Sequence, residues 1–104
     1  MKASPRKMAK IKVRVKYFAS LRELIGVREE EYEAEAGTTI RKLLLEYVLK
    51  RHGNAASAVL KRIEKLLRGG ESGYMIIVNG DRADPDYRLR SGDVVAILPP
   101  VGGG

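Results

Sequence analysis

Cysteine is absent from this chain, which removes disulfides, thiolate metal sites and a cysteine nucleophile together. There is a single histidine, His52, and one histidine cannot build a metal site alone. Its place at the end of a helical stretch suits a partner for the helix dipole. Tryptophan is missing and Phe18 is the one phenylalanine, so few platforms exist for stacking nucleic-acid bases. No apolar run approaches the ~20 residues a membrane helix needs. The basic first ten residues have no apolar stretch behind them and do not read as a secretory signal, so a cytoplasmic location is expected.

What remains is 104 residues with 44% hydrophobic content, enough for one modest core and too little for two domains. The net charge of +7 falls in blocks: +8 over residues 1–28, −5 over 29–36, +6 over 37–68 and −2 thereafter. Such blocks suit acidic partners, with nucleic acid as one alternative.

Ile11, Val13, Val15 and Tyr17 alternate with Lys12, Arg14, Lys16 and Phe18, which predicts a strand with one buried face. Ser20 is placed to cap a short helix through Leu21 to Ile25, ended by Gly26. Arg28 to Glu35 reads as a second strand, so rich in glutamate that it suits a sheet edge and favours pairing with the basic first strand. Thr39 opens a helix whose stripe is Ile40, Leu43, Leu44, Tyr47 and Val48, stopped by Gly53. Ala55 to Leu67 is a second helical stretch with Val59, Ile63, Leu66 and Leu67 inward. Tyr74 to Val78 reads as a central strand, and Asn79-Gly80 as a tight turn. Asp84-Pro85 starts another turn with Leu89 tucked inward, and Ser91-Gly92-Asp93 leads into a last strand, Val94 to Leu98. The first and last strands are both strongly apolar and are expected to pair in parallel at the centre. The order predicts an α+β domain over 11–98, a mixed sheet with helices on one face, between a basic extension (1–10) and a tail (99–104).

The tail is Pro99-Pro100-Val101-Gly102-Gly103-Gly104. The prolines favour an extended chain leaving the sheet, and the glycines, having no Cβ, fit a narrow channel. A terminal carboxylate on Gly104 is ionised at neutral pH.

The segments 11–26, Thr38-Thr39-Ile40, Val78-Asn79-Gly80 and Ser91 to Gly103 together resemble the MoaD/ThiS sulfur-carrier family, in particular the small subunits of molybdopterin synthase. That resemblance implies a ubiquitin-like β-grasp fold. It implies that an E1-like (MoeB-like) adenylyltransferase, using ATP and Mg²⁺, activates the terminal carboxylate, and that a sulfur donor protein turns it into a thiocarboxylate. Gly104 and Gly103 are then the reactive end, and this chain, binding no cofactor or metal itself, is a co-substrate more than an enzyme. The expected acceptor is a MoaE-like large subunit of molybdopterin synthase. The family usually ends in Gly-Gly, so the third glycine departs from it; the stretch 54–72 also has no clear counterpart.

Strand alternation places Lys12, Arg14, Lys16 and Phe18 on an outer face. If the first and last strands run parallel, Phe18 and Leu98 meet beside the tail, and the expected docking patch is Phe18 with Leu98 in a basic surround of Arg14 and Lys16. The same activated tail would serve thiamine synthesis, tRNA thiolation or conjugation to lysines, and a basic nucleic-acid-binding module is the alternative of another class.

Overall fold

The computed structural model describes residues 9–53, 56–68 and 74–98. The expected tail, Pro99 to Gly104, and most of the basic extension lie outside the described residues. Five strands form one sheet in the order β2-β1-β5-β3-β4, with β1 Lys10–Tyr17, β2 Glu29–Glu35, β3 Met75–Val78, β4 Asp81–Arg82 and β5 Val94–Leu98. The β1–β5 pair is parallel and the other three pairs are antiparallel. The expected central parallel pair is therefore present, running Arg14↔Val94 to Tyr17↔Ile97.

Alternation works as anticipated in β1: Val13, Val15 and Tyr17 are buried while the basic residues between them are not. The inner faces of β2, β3 and β5 add Tyr32, Ala34, Ile76, Val78, Val95 and Ile97 to the same core. The helices close it from that side. Helix α1 (Ala19–Ile25) contributes Leu21 and Ile25. Helix α2 (Ile40–Lys42) passes through a π-helical segment, Leu43–Val48, into α3 (Leu49–Arg51), so that 40–51 is one helical run. Thr39 caps it as expected, its hydroxyl accepting from the Lys42 N–H at 3.1 Å. Two more of its first N–H groups are taken by the loop between β4 and β5, Ile40 by the Tyr87 carbonyl and Arg41 by that of Pro85, which satisfies donors that have no partner within the helix. Helix α4 (Ala56–Arg68) buries Val59, Ile63 and Leu66, and Leu67 is half-buried.

Three local expectations are corrected. Ser20 caps nothing: α1 begins at Ala19, the preceding Phe18 is extended, and no side chain caps the helix. The chain reverses at Ala19, which lies in the left-handed region at φ 52°, so Ser20 is already inside the first turn. Tyr47 is half-buried instead of lying in the core stripe; its hydroxyl accepts from the Glu35 N–H at 3.4 Å. Arg28 precedes the second strand, which opens at Glu29.

His52 ends the helical run and turns inward to β2. Its Nε2 lies 2.9 Å and 2.8 Å from the two oxygens of the Glu30 carboxylate. The same carboxylate accepts from Tyr17 Oη at 2.8 Å and Tyr32 Oη at 2.7 Å. Arg51 stacks over the Tyr32 ring at 3.8 Å. Burial disfavours the charged carboxylate, but hydrogen bonds from His52, Tyr32 and Tyr17 outweigh it and hold Glu30 below the ordinary glutamate range. Both tyrosines are driven the other way, upward, mainly by burial. Glu30 therefore contributes stability above the unfolded glutamate pKa of about 4.3, and loses it as pH falls through the lower folded value. Glu30→Ala leaves buried donors without an acceptor and should cost about 1–3 kcal/mol at neutral pH. Urea unfolding of both proteins from pH 7 to pH 3 checks this: the gap should narrow toward acid, and a gap independent of pH would show that the carboxylate's charge is not what holds these donors.

Candidate docking site at the tail-proximal end of the sheet

Parallel pairing decides where the tail leaves. Strand β5 ends at Leu98, one residue past the Tyr17↔Ile97 pair, and Phe18 is one residue past it on β1. The two predicted docking residues therefore finish neighbouring strands at the same end of the sheet. Phe18 is 36% exposed and Leu98 half-buried, so neither belongs to the core.

The outer sheet face extends this apolar surface. Met75 pairs with Leu98 and Ile77 with Ala96 across β3 and β5, and all four are half-buried. Val27, 41% exposed, was missed from sequence. The Tyr17 N–H donates to the Arg28 carbonyl at 2.8 Å, so Val27 sits across from Phe18 at the same end of the sheet. Its signal was present: an aliphatic residue directly after Gly26, at the mouth of an antiparallel pair. Phe18 and Val27 are the two exposed large apolar side chains among the described residues, and both lie at the end of the sheet where β5 finishes.

The expected pairing of the glutamate-rich second strand with the basic first strand is present. Lys10, Lys12, Arg14 and Lys16 stand opposite Glu35, Glu33, Glu31 and Glu29, and Arg14 bonds Glu29 at 3.1 Å. On the β2 side the rim is thus paired charge, not a basic field. Alternation within one strand shows its sign but not what the neighbouring strand sets beside it.

The other matched segments lie at the far end. Asp93 is buried and accepts from Asn79 Nδ2 at 2.8 Å, the Arg90 N–H at 2.8 Å and Tyr87 Oη at 3.2 Å. Asn79 Oδ1 in turn accepts from the Val94 N–H at 2.9 Å. Asn79 and Gly80 both take positive φ, 53° and 92°, as the two-residue turn between β3 and β4 requires. This network sits at the start of β5, so Asp93 builds the strand. Among the described residues no group of three or more His, Cys, Asp or Glu is placed to hold a metal ion, and no helix is long and apolar enough to cross a membrane.

The ThiS family model matches residues 15–104, nearly the whole chain. The chain belongs to the ThiS family. A molybdopterin synthase sulfur carrier subunit of Chlamydomonas reinhardtii is 30% identical over 96 residues, 90% of this chain and 100% of that protein. Among solved structures, a putative molybdopterin converting factor subunit 1 from Pyrococcus furiosus is 37% identical with a TM-score of 0.63, covering 88% of this chain and 99% of its own. SAMP1 of Haloferax volcanii is 26% identical with a TM-score of 0.67, over 89% and 99%. The family resemblance and the β-grasp fold are both borne out by these relatives.

Asp93→Ala should cost about 1–3 kcal/mol, because donors from Asn79, Arg90 and Tyr87 lose a buried acceptor. Phe18→Ala should change stability by about 0.5 kcal/mol or less, as surface substitutions do. Thermal unfolding of the two variants checks the contrast; a larger loss for Phe18→Ala would make that ring structural and remove it from the docking patch.

Proposed function

We propose that this chain is a sulfur carrier that delivers sulfur from its C-terminus in molybdopterin synthesis. The carrying observation is that the family match runs through Gly104 while the sheet sets an exposed apolar patch where the tail departs. A carboxylate is a poor electrophile. One Gly104 oxygen attacks the α-phosphorus of ATP, bound with Mg²⁺ on an E1-like enzyme, and pyrophosphate leaves. The acyl-adenylate now has a good leaving group. A persulfide sulfur on a donor protein attacks the acyl carbon and releases AMP; a thiol then cleaves the acyl disulfide, leaving the thiocarboxylate. All groups that activate the tail belong to other proteins. What this chain contributes is a tail without side chains in its last three residues and a docking surface, Phe18, Leu98 and their neighbours, that seats the tail in a large synthase subunit. Arg14 and Lys16 border that surface, Arg14 already tied to Glu29.

A second reading has support from one set of relatives. The small archaeal modifier protein 1 of Methanosarcina acetivorans is 26% identical with a TM-score of 0.66. An activated tail that meets a lysine amine instead of a sulfur donor forms an amide, so the same chemistry gives a protein modifier.

The test is mass spectrometry of the C-terminal peptide after incubation with the cognate activating enzyme, ATP, Mg²⁺ and a sulfur donor. The expected result is one oxygen replaced by sulfur. Lysines bearing the tail, in protein from native cells, would favour the modifier reading. An unmodified terminus in both the full chain and a form ending at Gly103 would overturn the proposal. Docking is checked separately: Phe18→Ala and Leu98→Ala should each weaken affinity for the large subunit by about 1–2 kcal/mol per folded molecule, measured by calorimetry. Unchanged affinity would mean the patch is not the docking surface.

A further inference from the structure

Strand β2 is the long edge of the sheet; the opposite edge, β4, is two residues. The Arg28 carbonyl and the Ala36 N–H both bond toward the β1 side, so the even-numbered residues of this strand face β1. The backbone groups of Glu29, Glu31, Glu33 and Glu35 consequently face outward, the arrangement that invites another strand.

Charge alone guards this edge against one class of strand. A second β2 would bring glutamate against glutamate, which is unfavourable. Against a basic strand the same charges attract. The fold itself demonstrates the fit, because β1 lies antiparallel on the inner side of β2 with Lys12, Arg14 and Lys16 opposite Glu33, Glu31 and Glu29. An extended peptide with alternating basic residues would meet the same row of glutamates on the outer side.

The helical run takes part of that edge. Arg51 Nη1 donates to the Glu31 carbonyl at 3.1 Å, and Tyr47 Oη accepts from the Glu35 N–H at 3.4 Å. The Glu35 carbonyl is taken by the Thr38 N–H at 3.1 Å and Thr38 Oγ1 at 2.7 Å. Tyr47 and Arg51 lie about one helical turn apart, and their long side chains splay to reach backbone groups on either side of Glu33.

We propose that Tyr47 and Arg51 are gatekeepers of the β2 edge, occupying the backbone groups through which a basic extended peptide would otherwise add as a further strand. The edge is capped, not bare: the glutamates repel acidic strands and the two helix side chains exclude basic ones.

The probe is a labelled synthetic peptide of the β1 sequence, Lys10 to Tyr17, titrated onto the intact protein by fluorescence anisotropy. Tyr47→Phe, which removes one hydroxyl and keeps the ring, should bind it more tightly than wild type. Tyr47→Phe combined with Arg51→Ala should gain about tenfold or more. A scrambled peptide of equal charge, its basic residues no longer alternating, should gain nothing. Amide exchange at Glu35 should quicken in Tyr47→Phe. Because Arg51 also stacks on Tyr32, the single tyrosine variant carries the test if the double variant unfolds. Equal affinity of wild type and Tyr47→Phe, or an equal gain for the scrambled peptide, would overturn the proposal.

Discussion

The parallel contact between β1 and β5 joins residues about 80 positions apart, and most other features depend on that closure. It places the inward aliphatic residues of both strands inside the sheet, where Val13, Val15, Val95 and Ile97 are all nearly inaccessible. It also fixes direction. Because the two strands run the same way, the exposed Phe18 and the last residue of β5 finish together at one end of the sheet. An antiparallel pairing would have put Phe18 at the opposite end from Leu98.

That closure is held at its far end by Asp93. A buried carboxylate is costly unless its oxygens are hydrogen-bonded, and here donors from Asn79, Tyr87 and Arg90 converge on it. Asn79 bonds Asp93 through its amide nitrogen and Val94 through its oxygen, so the β3–β4 turn is locked to the start of β5. The segments by which the family is recognised thus divide by task. Asn79, Gly80, Gly92 and Asp93 build the strand; Phe18 and Leu98 lie outside the core. Resemblance in sequence marks both kinds alike, and only topology separates them.

Most of the fold was legible because it rests on period and turn chemistry. The alternation in β1, the positive-φ pair Asn79-Gly80 and the Thr39 cap are local rules, and the structure follows them. What was not legible depends on partners distant in the chain. Glu30 looks like one more edge glutamate until β1 brings Tyr17 and the helix end brings His52 to it. Tyr47 fits the apolar stripe by spacing, yet its hydroxyl finds the edge of β2. The docking patch was half visible: Phe18 and Leu98 follow from alternation once the parallel pairing is assumed, while Val27 requires knowing how the first two strands meet.

The glutamates of β2 show how one run of sequence meets several physical demands through orientation alone. Four of them point to the outer face, where they complement the basic row of β1 and make the edge unattractive to its own kind. The fifth, Glu30, points inward and serves as the acceptor that holds a strand, a helix end and two tyrosines together. Converting Glu30 to an apolar residue would restore a simple alternation, but it would remove the acceptor that Tyr17, Tyr32 and His52 share. The irregularity in the pattern is therefore part of how the domain holds Tyr17, the last residue of β1, and with it the approach to Phe18. The inward carboxylate is what ties the end of β1 to the helix end beneath the sheet.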